Sequence, residues 1–154
     1  MTVAAIGIGS NLGDAASSVR RGCQRLDEVG TVLARSRLFR SPPWGVTDQA
    51  PFVNAAALVD TLLPPRALLA ALKRIEVEEG RVTGVRWGPR ALDLDILAYG
   101  GLQLNEPDLV IPHPRLHERA FALVPLADID PHYAELRDAL PPGERGTVVE
   151  LAPE

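Results

Sequence analysis

Leu92-Asp93-Leu94-Asp95-Ile96-Leu97-Ala98-Tyr99 is the stretch that decides the fold. Its first five residues alternate apolar and acidic, the period of a strand with one face in a core. Leu92, Leu94 and Ile96 are expected to face inward. Asp93 and Asp95 then share the other face, roughly 6.5–7 Å apart along the chain. Two acids held side by side repel, and a cation between them relieves the repulsion. Mg²⁺ commonly takes one or two carboxylates and completes its shell with water and substrate phosphates. An ordinary solvated sheet face remains the alternative reading.

Working back from this strand, the loop Arg81 to Pro89 carries Arg81, Arg86 and Trp87, with Arg90 just beyond it. Arginine suits phosphate oxygens. Before the loop, Pro64 and Pro65 fit the start of a helix running through Leu68, Leu72 and Ile75 to Glu79, with Gly80 as its stop. Phe52 to Thr61 and Thr31 to Arg40 read as strands. Ser41 to Pro51, with four glycine or proline residues, reads as an ordered turn or loop.

At the start, Val3 to Ile8 reads as a short buried strand. Asp14 can cap a helix with apolar positions at Val19, Cys23, Leu26 and Val29, and Gly30 is expected in a left-handed cap. The order strand, helix, strand, strand, helix, strand predicts an α/β (α+β) fold with a ferredoxin-like βαββαβ core. A further helix is expected over Leu116 to Leu126, and a loosely structured tail from Pro141 with a short strand at Thr147 to Leu151. With no repeat or linker, residues 1–154 form one domain.

Composition bounds the function classes. The chain has 154 residues, 46% hydrophobic, with a net charge of −4. That balance argues against a general nucleic-acid coat protein, and no apolar run is long enough to span a bilayer. The single cysteine excludes an internal disulfide, and the N-terminus lacks the pattern of a signal peptide, so a cytoplasmic location is expected. Lys73 is the only lysine, so the weight of each arginine rests on its neighbours.

Other motifs carry less. Gly7-Ile8-Gly9-Ser10-Asn11-Leu12-Gly13 misses the dinucleotide fingerprint by one residue, and its glycines read as turn formers. His113 and His117 are four apart, but Pro114 and the lack of an intervening glutamate make a poor zinc site. His113 can instead donate to a phosphate. Phe52 and Asn54 share a strand face, a flat apolar surface beside an amide, which suits a flat heterocycle or an ordinary core.

Taken together, these segments resemble the 6-hydroxymethyl-7,8-dihydropterin pyrophosphokinase family of folate biosynthesis. The resemblance runs from Ile8-Gly9-Ser10-Asn11-Leu12 to Arg119-Ala120-Phe121 and is most specific at Arg86 to Ile96, at Ser41-Pro42-Pro43 with Phe52 and Asn54, and at Ile111-Pro112-His113. It implies a three-layer form of the fold, with further C-terminal strands. It also implies transfer of pyrophosphate from ATP to the hydroxymethyl group of the pterin, releasing AMP.

By that resemblance, Asp93 and Asp95 hold two Mg²⁺ ions, while Arg81 and Arg90 contact the phosphates. Glu76, Trp87, Ile96, His113 and Arg119 match nucleotide-side positions, with Arg86 and Trp87 in a closing loop. Phe52 and Phe121 sandwich the pterin, Asn54 bonds its polar edge, and Ser41, Pro42, Pro43 and Trp44 line it. Ser41 stands where threonine is common, the 82–85 loop is a residue shorter than in some members, and Pro114 replaces a tyrosine. A monomer acting on small molecules, without nucleic acid or membrane, is expected. Two other classes remain: a ligand- or RNA-binding module on the same fold, and a metal-dependent phosphohydrolase using the same acids.

Overall fold

The computed structural model describes residues 1–42, 50–80 and 91–151. Pro43, Trp44, Arg81, Arg86, Trp87 and Arg90 lie outside that range. Strands β1 (Thr2–Ser10), β2 (Thr31–Arg35), β3 (Phe39–Ser41), β4 (Phe52–Thr61) and β5 (Asp93–Tyr99) alternate with helices α1 (Ala15–Arg25) and α2 (Pro65–Glu78). The sheet order is β5-β1-β4-β3, with β2 also paired to β4 and every pairing antiparallel. Counting β2 and β3 as one interrupted strand, this is the ferredoxin-like arrangement expected from the element order.

The interruption falls at 36–38, where one continuous strand was expected. Ser36 donates its N–H to the Ala56 carbonyl at 2.8 Å, and its hydroxyl accepts from the Ala56 N–H at 2.9 Å. A side chain thus replaces a ladder bond, and the chain bends between two strands that share β4.

Three layers follow from side-chain parity. Ala4, Ile6 and Ile8 of β1, Val53, Ala55, Ala57 and Val59 of β4, and Leu94 and Ile96 of β5 pack against α1 and α2. Ala5, Ala56, Leu97 and Ala98 face the other way, toward α3 (Ala120–Ile129). The β1–β5 register slips between Ala5 and Ile6. That bulge lets Leu97 and Ala98 both serve the α3 side, breaking strict alternation.

Helix α1 starts as expected. Asp14 accepts from the Ser17 N–H at 3.1 Å and from its hydroxyl at 2.9 Å. Its end differs. The α-helix stops at Arg25, a 3-10 turn covers Leu26–Glu28, and Gly30 is not among the positive-φ glycines of the described residues, Gly13, Gly80 and Gly100. Close approach explains Gly30 instead. A Cβ there would lie 2.3 Å from the Asp60 carbonyl oxygen, beside Thr61, whose hydroxyl donates to the Val29 carbonyl at 2.6 Å. Gly80, at φ +91°, does end α2 in the left-handed region.

The C-terminal part is more structured than expected. A hairpin of β6 (Leu104–Glu106) and β7 (Leu109–Ile111) follows β5, and Arg66 of α2 holds it through Glu106 and Asp108. The expected helix from Leu116 splits into a 3-10 turn, Leu116–Glu118, and α3, because Arg119 is extended (φ −103°, ψ 96°). Short helices α4 (Ala134–Asp138) and α5 (Pro142–Arg145) lead to β8 (Val149–Glu150), which pairs with β3. Leu140 and Val148 close the α3-side core. Among the described residues, no helix is long and apolar enough to cross a membrane.

Candidate active site

On the α3 side of the sheet, a cavity of about 320 Å³ is lined by β1, β4, β5 and the first turn of α3. Its floor is β1. Gly7 lies between Asp95 of β5 and Ala56 of β4, and Gly9 lies between Asp93 and Asn54. Both glycines are therefore strand residues, not the turn formers expected, because β1 continues through Ser10. With no side chains at 7 and 9, one pocket joins the acids on one side to Asn54 on the other. The signal was present in sequence: glycines two apart in a strand clear a single face.

The acidic wall has a distinct electrostatic state. Asp95 is pushed up to about 7, first by loss of water and then by the charges of Asp93 and Glu76, with Arg119 and Lys73 opposing. Glu76 is fully buried on the opposite face of the sheet. It accepts the Leu94 main-chain N–H at 2.7 Å, so it anchors the strand between the two aspartates. Ile96 also faces the helical layer and is 5% exposed. Neither Glu76 nor Ile96 lines the cavity. Among the described residues, no group of three or more His, Cys, Asp or Glu side chains is placed to hold a metal.

Cationic and aromatic groups come from the segment after β7. Its extended backbone at Arg119 sends that side chain into the cavity, where the buried Nε has no partner among the described residues. The guanidinium sits 5.4 Å from the Phe121 ring centroid, a cation–π distance. Burial lowers the Arg119 pKa, while Asp95 and Asp93 support its charge.

His113 follows the cis Ile111–Pro112 bond and is tied to the sheet by its N–H donating to the Leu97 carbonyl at 2.9 Å. Its Nδ1 accepts from the Arg115 N–H at 3.3 Å. The neutral ring therefore carries its proton on Nε2. Burial, with help from Arg119 and Arg115, lowers its pKa to about 4. His117 instead lies at the surface, 3.8 Å from Glu118.

The far wall combines Ser41, Pro42, Phe52, Asn54 and Phe121. Asn54 Nδ2 donates to Ser41 Oγ at 2.7 Å. The structure thus gathers Asp93, Asp95, His113, Arg119, Ser41, Pro42, Phe52, Asn54 and Phe121 from five separate parts of the chain. Lys73, which reaches the same cavity from α2 and lies 3.6 Å from Glu76, was not expected there. Its only sequence signal is that it is the sole lysine.

Comparison with known proteins identifies the family and the fold. The family model for 7,8-dihydro-6-hydroxymethylpterin-pyrophosphokinase matches residues 5–131. A 2-amino-4-hydroxy-6-hydroxymethyldihydropteridine pyrophosphokinase from Methylorubrum extorquens is 49% identical over 133 residues, covering 85% of this chain and 84% of its own. The enzyme of the same name from Pseudomonas aeruginosa is 44% identical over 147 residues, covering 88% and 90%. Among solved structures, Plasmodium falciparum HPPK-DHPS with pteroate aligns with a TM-score of 0.68 at 16% identity, which speaks to the fold. That alignment covers 86% of this chain and 39% of the larger one.

Proposed function

The chain belongs to the 7,8-dihydro-6-hydroxymethylpterin-pyrophosphokinase family, and from that premise we propose how its own pocket carries out the family's reaction. The protein transfers pyrophosphate from ATP to the hydroxymethyl group of 6-hydroxymethyl-7,8-dihydropterin, in folate biosynthesis. The hydroxyl oxygen attacks the β-phosphorus, the bond from that phosphorus to the oxygen shared with the α-phosphate breaks, and AMP leaves. The hydroxyl proton passes to solvent, so the products are the pterin diphosphate, AMP and a proton.

One observation carries the assignment of roles. A glycine floor joins two aspartates on one side to an amide and two phenylalanines on the other. A triphosphate and a flat heterocycle can lie across such a floor with their reacting atoms adjacent. Phe52 and Phe121 hold the faces of the pterin ring, and Asn54 holds its polar edge, with Ser41, Pro42, Pro43 and Trp44 beside it. Arg119 and His113 Nε2–H supply donors to phosphate oxygens, joined by Arg81 and Arg90 and covered by Trp87. Lys73 adds charge at the same wall. Glu76 acts through the strand it holds, and Ile96 supports that strand from the core.

The acid pair suits Mg²⁺. Asp95 is destabilised as an anion first by burial and then by Asp93 and Glu76, and a cation beside it offsets that penalty. Asp93 and Asp95 would hold two Mg²⁺ ions, which when bound neutralise phosphate charge and acidify the attacking hydroxyl. Positioning by the surrounding residues supplies the rest, since transfer of this kind needs no protein nucleophile. The described part of the pocket is lined by one chain, so a monomer is the proposed working form, with the cytoplasm as its proposed location.

The test combines the protein, ATP, Mg²⁺ and the hydroxymethyl pterin, and follows AMP. AMP formed only when the pterin is present supports the proposal. Phosphate released from ATP without pterin indicates a hydrolase, and pterin binding without turnover indicates a binding module.

A further inference from the structure

The last turn of α2 is charged against the helix dipole. Glu76 and Glu78 lie in it, Glu79 caps it, and it carries no basic residue. Carboxylates at a helix C-terminus repel one another and the exposed carbonyl ends, so such a turn tends to fray. Here it holds, with the Glu79 N–H donating to the Ile75 carbonyl at 2.9 Å. Lys73, from the preceding turn, faces Glu76 at 3.6 Å. Glu78 and Glu79 are served from α1. Arg21 Nε donates to Glu79 Oε1 at 3.1 Å, Arg25 Nη1 to Glu79 Oε2 at 3.4 Å, and Arg25 Nη2 to Glu78. The side chains of Arg25 and Glu79 are 23% and 18% exposed, so water screens this pair less than an open surface pair. Helix α1 is itself seated closely on the sheet. A Cβ on Gly22 would stand 2.8 Å from Leu92 Cδ1 and 3.2 Å from Ile8 Cγ2, and Leu92 immediately precedes Asp93.

We propose that Arg21 and Arg25 are positioning residues for the acid pair of the cavity, acting through Glu76. Neither arginine lines the cavity. By neutralising the end of α2 they keep its last turn wound. That turn presents the buried Glu76 carboxylate to the Leu94 N–H, 2.7 Å away between Asp93 and Asp95. Unwinding by a single turn from Glu79 would carry Glu76 off the strand. Leu94 would then keep a buried N–H without its acceptor, and the two aspartates would lose the backing that fixes their spacing.

The inference rests on the role given above to Asp93 and Asp95, and amide hydrogen exchange of the substrate-free protein, followed by NMR, tests the link from α1 to Leu94 independently of it. Arg25→Gln should speed exchange of the Leu94 N–H about tenfold, the scale of one weakened hydrogen bond to a charged group. The Ala56 N–H, held by the Ser36 hydroxyl on β4, should keep its wild-type rate. Adding Glu78→Gln and Glu79→Gln to Arg25→Gln removes the charges that need an arginine and should restore Leu94 protection. In assays of AMP release, Arg25→Gln should lower kcat about tenfold with the pterin KM unchanged, and the triple variant should recover it. Equal acceleration at Leu94 and Ala56, no change at either, or a triple variant as loose as the single one overturns the link. Faster Leu94 exchange with an unchanged kcat overturns the positioning role and leaves the function intact. No AMP from the wild type overturns the function and the positioning role together, while exchange still decides the link.

Discussion

Leu94 donates its main-chain N–H to the fully buried carboxylate of Glu76 at 2.7 Å. This bond fixes the strand segment between Asp93 and Asp95 from behind. It also brings a third acid close enough to raise the Asp95 pKa. The site is therefore held in place by a group that makes its own ionisation harder.

A pH dependence of stability follows for the metal-free protein. Asp95 titrates near 7 when folded and near 3.9 when unfolded. Between those values the folded state binds the extra proton, so stability falls as pH rises from about 4 to 7 and stays lower above. Asp95→Asn removes the penalty. At pH 8 its Tm should exceed the wild-type value by about 10 °C, with the gap closing toward pH 4. An identical gap at both pH values would count against the raised pKa.

The same substitution should be costly for catalysis. Asp95→Asn is expected to lower kcat at least ~10²-fold in saturating Mg²⁺, the scale of losing one preorganised electrostatic group. A variant both more stable and less active is the signature of an acid kept for function. Near-normal turnover would remove Asp95 from the proposed metal pair.

Arg119 and Phe121 should separate the two ends of the cavity. Arg119→Ala removes a buried donor with no partner among the described residues, so ATP binding should weaken about tenfold or more while thermal stability holds. Phe121→Ala should weaken pterin binding more than ATP binding. Calorimetric titration with each substrate measures both, and matched losses in either variant would contradict the division.

His113 should remain neutral across the working range. Its pKa, lowered to about 4 by burial and by Arg119 and Arg115, predicts no movement of its imidazole NMR signals between about pH 5.5 and 8. His113→Gln identifies the resonance. A midpoint near 6.5 would place the ring in water.

Gly30→Ala tests the close approach to β4 of the turn that joins α1 to β2. Its Cβ would stand 2.3 Å from the Asp60 carbonyl oxygen, and relieving that clash requires backbone movement. Urea denaturation should show a loss of at least ~2 kcal/mol, whereas Gly13→Ala, where nothing lies within 4 Å but φ is +61°, should lose less.

Periodicity along the chain was enough to establish the βαββαβ order, the inward-facing Leu92, Leu94 and Ile96, and the shared face of Asp93 and Asp95. These are local properties: alternation and capping act over a few residues, and the chain carries them wherever it goes. The start of α1 at Asp14 and its stop short of Val29 show the limit. The cap is made within four residues, whereas the reason for a glycine at position 30 is Asp60, thirty positions away. Similarly, Gly7 and Gly9 read as turn formers until β4 and β5 flank them, and Arg119 reads as mid-helix until the chain breaks there to reach the cavity. Cross-strand register decided which residues meet. It set Gly9 between Asn54 and Asp93 and kept Ile96 on the other face, while the packing of α2 against β5 brought Lys73 to the same wall and buried Glu76 behind it. Pairings of that kind depend on packing between distant segments, which only tertiary structure can fix.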